Sequence, residues 1–88
     1  MLSVEQTEEI RRVIGAHARL SVDAATLTDE TDLFGAGMTS HASVNVMLAL
    51  EAAFDVEFPD RMLRRSVFES IQAIAAAIEE LQSVDAPI

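Results

Sequence analysis

The chain has 88 residues and a mass of 9.5 kDa, which suffices for one domain with a modest core and excludes separate cofactor and substrate domains. Half of it is hydrophobic and 24% is charged, a globular balance, and the absence of Cys excludes disulfides, a thiolate nucleophile and cysteine metal sites. Six Arg and no Lys stand against 15 acids, and the net charge of −9 opposes binding to nucleic-acid phosphates and leaves no lysine for a Schiff base or a P-loop.

In chain order, Met1 to Glu5 lack the basic and apolar blocks of a secretory leader, and no apolar run approaches a membrane span. A soluble cytoplasmic protein without a membrane partner is therefore expected. Ser3, with Gln6 in capping register, starts a first helix on which Val4, Ile10, Val13, Ile14 and His17 recur at helical spacing. His17 is expected to pack on that stripe. Glu5, Glu8 and Glu9 precede Arg11, Arg12 and Arg19, the order the helix dipole favours. A polar loop follows from about Leu20 to Thr39, acidic at Asp23, Asp29, Glu30 and Asp32, with Leu27, Leu33 and Phe34 as expected anchors.

A second helix is predicted from about Ser40 to Phe54. A short third segment follows Pro59 over Asp60 to Arg65, with proline suited to a first turn. The last helix carries Ile71, Ile74, Ala75, Ile78 and Leu81 on one stripe. Its start is either Ser66, boxed with Glu69, or Ser70. Val56-Glu57-Phe58 alternates but is too short to make a sheet. The expected architecture is an all-α four-helix bundle over residues 1–82, with a long loop between helices 1 and 2 and a short third helix. Residues 83–88 are expected to fray.

On the second helix, Ser43, Val46, Met47, Leu50 and Phe54 share one arc, the expected core face. His41, Asn45, Leu48 and Ala52 lie opposite, with Val44 on the border. No formal charge occurs from His41 to Leu50, so this outward face suits a docking partner, although single exposed aliphatics are also ordinary. Ser40 stands at the helix start behind Gly35 and Gly37, which would keep the approach open. It serves either as the N-cap or, if Thr39 caps, as a free hydroxyl at the helix's positive end, where an esterified phosphate would be favoured.

The stretches Asp32-Leu33-Phe34-Gly35-Ala36-Gly37-Met38-Thr39-Ser40, Leu48-Ala49-Leu50-Glu51, Phe54-Asp55-Val56-Glu57-Phe58-Pro59 and Phe68-Glu69-Ser70-Ile71 together resemble an acyl carrier protein. The resemblance implies that Ser40, flanked by Thr39 and His41, bears a covalent 4′-phosphopantetheine arm. A phosphopantetheinyl transferase would add it from coenzyme A, and the arm's thiol would hold an acyl or aminoacyl group as a thioester. Such a cofactor supplies the thiol that the chain lacks.

The departures from the family pattern are specific. Thr39-Ser40-His41 replaces Asp-Ser-Leu, and Ala42 and Asn45 stand where acids are common. Arg61, Arg64 and Arg65 make the third segment basic. The run from Ala36 to Val44 is most similar to small stand-alone aminoacyl carriers, whose ligases are seryl-tRNA synthetase-like amino acid:carrier protein ligases. The alternatives are a fatty-acid or polyketide carrier served by an acyl-activating enzyme, and an unmodified helical interaction module.

Val44 and Leu48, bordered by Arg61, Arg64 and Arg65, form the expected docking surface of a monomer. Those arginines could instead pair with Glu57, Asp60 or Glu69. Met38 and Met47 flank the arm and could adapt to cargo, whereas the small core leaves little volume for a long chain. Catalysis is not expected, because Ser40 and His41 are helix neighbours that do not face each other. No metal site is expected from two His without Cys or EF-hand spacing.

Overall fold

In this computed structural model, which describes residues 4–84, α1 spans Val4–His17 and buries Ile10, Val13 and Ile14. The predicted cap, Ser3, lies outside the described residues. Two expectations for the stripe are corrected. Val4 is 79% exposed, and His17 is exposed rather than packed. The reason is the helix end. Ala18 is buried and its N–H donates to the Ile14 carbonyl at 2.9 Å, after which Arg19 turns left-handed (φ 54°) and reverses the chain.

The loop from Leu20 to Thr39 is ordered by its own polar groups. The Asp23 carboxylate accepts from the Ala25 N–H at 3.0 Å, heading a 3-10 turn over Ala24–Thr26, and the Thr28 N–H donates to Thr31 Oγ1 at 2.9 Å. Leu27 and Leu33 are buried anchors as expected, and Phe34 is half-buried. Backbone bonds then tie the loop to the last helix and the turn before it: Leu33 N–H to the Glu69 carbonyl at 2.7 Å, and Gln72 N–H to the Asp29 carbonyl at 2.8 Å.

From the other side, the partly buried Arg11 guanidinium donates to the Leu27 carbonyl at 2.5 Å and to Asp29 Oδ1 at 3.3 Å. Bonds from a charged donor to a partly dry acceptor contribute about 1.5–3 kcal/mol. Arg11→Met keeps the stem and removes them, and should lower unfolding free energy by about 1–3 kcal/mol in a urea titration.

Helix α2 spans Ser40–Phe54 and buries Ala42, Val46 and Leu50, with Met47 and Phe54 half-buried. Its predicted core arc shifts by one position, because Ala42, which that arc left out, is 2% exposed. The helix ends at Asp55, left-handed at φ 53°, whose N–H bonds the Glu51 carbonyl. The Glu51 carboxylate in turn accepts from the Phe58 N–H at 2.9 Å and directs the chain back along the bundle.

The single third segment predicted over Asp60 to Arg65 is two short pieces. A 3-10 turn covers Asp60–Met62, and α3 covers Arg65–Phe68. Extended backbone at Arg64 (φ −129°, ψ 149°) separates them. Phe58, Met62 and Phe68 hold both pieces on the core, the two rings lying 5.3 Å apart between centroids.

Helix α4 spans Ile71–Val84, and Ser70 supplies its cap, Oγ accepting from the Ala73 N–H at 3.0 Å. Ser66 is therefore not the start. Ile71, Ile74, Ala77, Ile78 and Leu81 complete a core closed by α1 and α2. Residues 85–88 lie outside the described residues. The described residues form four α-helices with no strand, and no helix is long and apolar enough to cross a membrane.

Candidate functional site

The start of α2 is set by the turns before it. The Asp32 carboxylate accepts from the Phe34 N–H at 3.1 Å, and the Leu33 carbonyl accepts from Met38 N–H at 3.0 Å. Gly37 has φ +117°, and a Cβ there would stand 3.1 Å from the Ser21 nitrogen. Ser21 bonds the Ala36 carbonyl through both its N–H (3.1 Å) and its hydroxyl (2.9 Å). Gly37 thus serves loop packing, not an open approach to Ser40. Both the left-handed φ and the clash oppose any side chain there.

Three hydroxyls crowd the helix start, and their bonding distinguishes them. Thr39 is the N-cap: its backbone is extended and its Oγ1 accepts from the Ala42 N–H at 3.0 Å. The Ser43 hydroxyl donates to the Ser40 carbonyl at 2.6 Å. Ser40 itself is exposed, and its hydroxyl makes no hydrogen bond to a described residue. Of the three, it alone is free and accessible, at the helix end where an attached phosphate would gain from the dipole and terminal N–H groups. The site therefore fits a phosphopantetheine arm.

Beside Ser40 lies an open groove of about 440 Å³, walled by Phe34, Val44, Met47, Leu63 and Phe68, with Ser40 and Ser43 at one edge and Arg64 and Arg65 at another. The groove is open to the surface and lies outside the closed core of Val46, Leu50, Ile71 and Ile74. Met47 lines it, but Met38 is only 3% exposed and belongs to the core, so it does not flank the site.

The predicted docking residues separate into groups. Val44 and Leu48 are about half-exposed on the outer face of α2, at 50% and 53%, and Leu63 adds a third such side chain. His41 is exposed beside them, whereas Asn45 is half-buried. The arginines do not act as one patch. Arg61 pairs with Glu80 at 3.2 Å, not with Glu57, Asp60 or Glu69, and faces a separate groove against α4. The Arg65 guanidinium sits 4.1 Å above the centre of the Phe34 ring. Arg64 lines both grooves and makes no side-chain bond to a described residue. Phe34, Leu63 and Phe68 were missed as site residues, since nothing local in their sequence announces a shared wall. Among the described residues no cluster of His, Asp and Glu could hold a metal ion.

The family described as "Phosphopantetheine attachment site" matches residues 8–78. The chain is 44% identical over 70 residues to an aminoacyl carrier protein of Agrobacterium fabrum, covering 80% of this chain and 84% of that one. It superposes with a TM-score of 0.82 and 42% identity on a carrier protein from Agrobacterium tumefaciens complexed with an engineered Bradyrhizobium japonicum glycine:[carrier protein] ligase and ATP, covering 84% and 96% of the two chains. It is also similar to a holo acyl carrier protein of Nitrosomonas europaea, with a TM-score of 0.79, 30% identity and coverage of 91% and 99%.

Proposed function

The chain belongs to the phosphopantetheine-attachment family of carrier proteins, and on that footing we propose that Ser40 bears the arm and that an amino acid:carrier protein ligase of the glycine type, with the seryl-tRNA synthetase-like fold, loads it. The protein is a carrier that presents an aminoacyl group on phosphopantetheine. When attached, the arm supplies the thiol that holds the cargo as a thioester.

The chain's own residues hold and present that arm, and the partners perform the chemistry. The single observation carrying the site assignment is the unspent, exposed Ser40 hydroxyl between the bonded hydroxyls of Thr39 and Ser43. Thr39 keeps the first turn of α2 fixed whether or not Ser40 is esterified. His41 flanks the attachment point on the exposed side. Within the proposal, residues 1–82 form the single carrier domain.

Docking follows from the charge map. From Ser40 to Leu50, α2 carries no formal charge, so the ligase meets Val44 and Leu48 mainly through apolar packing. Arg64 supplies a cation at the rim with no side-chain partner among the described residues, whereas Arg61 is held by Glu80 and Arg65 by Phe34.

The direct test incubates the chain with coenzyme A and a broadly active phosphopantetheinyl transferase, then with ATP, glycine and the ligase, and follows intact mass. One phosphopantetheine and then one glycyl increment are expected. A mass unchanged after the transferase would instead favour the unmodified interaction module. On the holo protein, Leu48→Ala should weaken loading about tenfold without altering its salt dependence. Arg64→Glu should weaken loading and alter that dependence, as a rim charge does. Equal salt responses in the two variants would contradict this division.

A further inference from the structure

The geometry points to Arg65, held over Phe34, as a clamp that draws the phosphodiester of the chain's own arm into the groove beside Ser40, with the adjoining gem-dimethyl segment of the arm against Met47 and Leu63. This rests on Ser40 being the attachment site. Three features carry it. Ser40 and Arg65 line the same groove, so a phosphate esterified to Ser40 starts at its edge. The guanidinium is positioned by the Phe34 ring at 4.1 Å, a contact that uses the cation's charge and face and leaves its N–H donors unspent. No hydrogen bond or ion pair joins the Arg65 side chain to a described residue, whereas those of Arg11, Arg12 and Arg61 all have carboxylate partners.

The charge balance gives that unspent cation a purpose. The protein carries −9, and the arm's phosphodiester adds a further negative charge. A freely diffusing phosphodiester would gain little from one exposed arginine. A tethered one meets it at an effective concentration of about millimolar or more, so a weak contact becomes populated. The apolar wall matches the chemistry of the arm next to the phosphate, which is a quaternary carbon bearing two methyl groups. Beyond it the amide-rich, polar remainder extends into solvent. Clamping the base of the arm would aim its thiol over the Val44–Leu48 face.

The test compares apo and holo full-length protein, its modification first verified by intact mass, using two-dimensional NMR on nitrogen-labelled chain and an arm labelled at its methyl groups. The clamp predicts that holo formation shifts the Arg65 Nε–H signal and the amides of Leu63 and Arg65, and that the arm methyls show cross-relaxation to Met47 and Leu63. In Arg65→Gln those arm contacts should fall at least about threefold, as expected for loss of a weak tethered contact. In Arg61→Gln, whose guanidinium faces the other groove, they should persist. Holo protein with shifts confined to residues 38–44, or contacts equal in Arg65→Gln, would overturn the clamp and leave the carrier assignment standing. Failure of the transferase to add mass to the wild type would overturn both.

Discussion

Ser40→Ala should abolish phosphopantetheine attachment and all loading by the ligase, while changing unfolding free energy by no more than about 0.5 kcal/mol. The asymmetry follows from the bonding at the helix start. Thr39, not Ser40, caps α2, and the Ser40 hydroxyl has no hydrogen bond to a described residue to lose. A serine that served as the N-cap would cost about 0.5–2 kcal/mol on replacement by alanine. Intact mass after transferase treatment and a urea melt check the two halves separately. An arm that persists in the variant would move the site to Ser43 or Thr39. A loss of stability beyond about 1 kcal/mol would show that Ser40 supports the fold after all.

Leu33→Ala should be the most damaging single truncation near the site. Leu33 is fully buried, its N–H is bonded to the Glu69 carbonyl and its carbonyl accepts from Met38, so the backbone there resists collapse into a cavity. Truncation should cost about 2–5 kcal/mol. For a domain of this length the total is about 4–13 kcal/mol, so melting should fall by about 10 °C or more. The same truncation at Leu63, which is 50% exposed in the groove wall, should cost less than about 1 kcal/mol. Thermal melts of the two variants decide it. A Leu33→Ala protein that melts within a few degrees of wild type would mean that the loop is not the structural brace described above.

The helices were legible because their apolar spacing is strong: Ile10, Val13 and Ile14 in α1, and Ile71, Ile74, Ile78 and Leu81 in α4, are all buried as the periodicity requires. Errors arose at the ends and in small residues. His17 continued the stripe on paper, but the left-handed turn at Arg19 ends the helix there and Ala18 takes the inward place. Ala42 is short and apolar, and it stands where related carriers commonly have an acid, so its sequence position gives no inward signal. Its 2% exposure puts it on the buried stripe with Val46 and Leu50, at i+4 and i+8. Pro59 correctly marked a new element, but no local signal shows the extended backbone at Arg64 that divides it.

At the helix start, the residues alone left Ser40 either as N-cap or as a free hydroxyl, and the structure gives the cap to Thr39; the groove was not legible at all. Its walls come from Phe34 in the loop, Val44 and Met47 in α2, and Leu63 and Phe68 beyond Pro59, segments brought together only by the tertiary fold. The arginines show the same limit. Sequence grouped Arg61, Arg64 and Arg65 as one patch. The chain sends Arg61 toward Glu80 and Arg65 onto Phe34 because extended backbone at Arg64 lies between their elements.

The central claim is that this chain carries an amino acid as a thioester through Ser40, and fragmentation mass spectrometry of the glycine-loaded holo protein tests it most directly. The account predicts that the phosphopantetheine and glycyl increments sit together on Ser40, and that neutral hydroxylamine removes the glycyl increment alone. Either increment on another residue, or a glycyl group that resists hydroxylamine as an amide would, contradicts it.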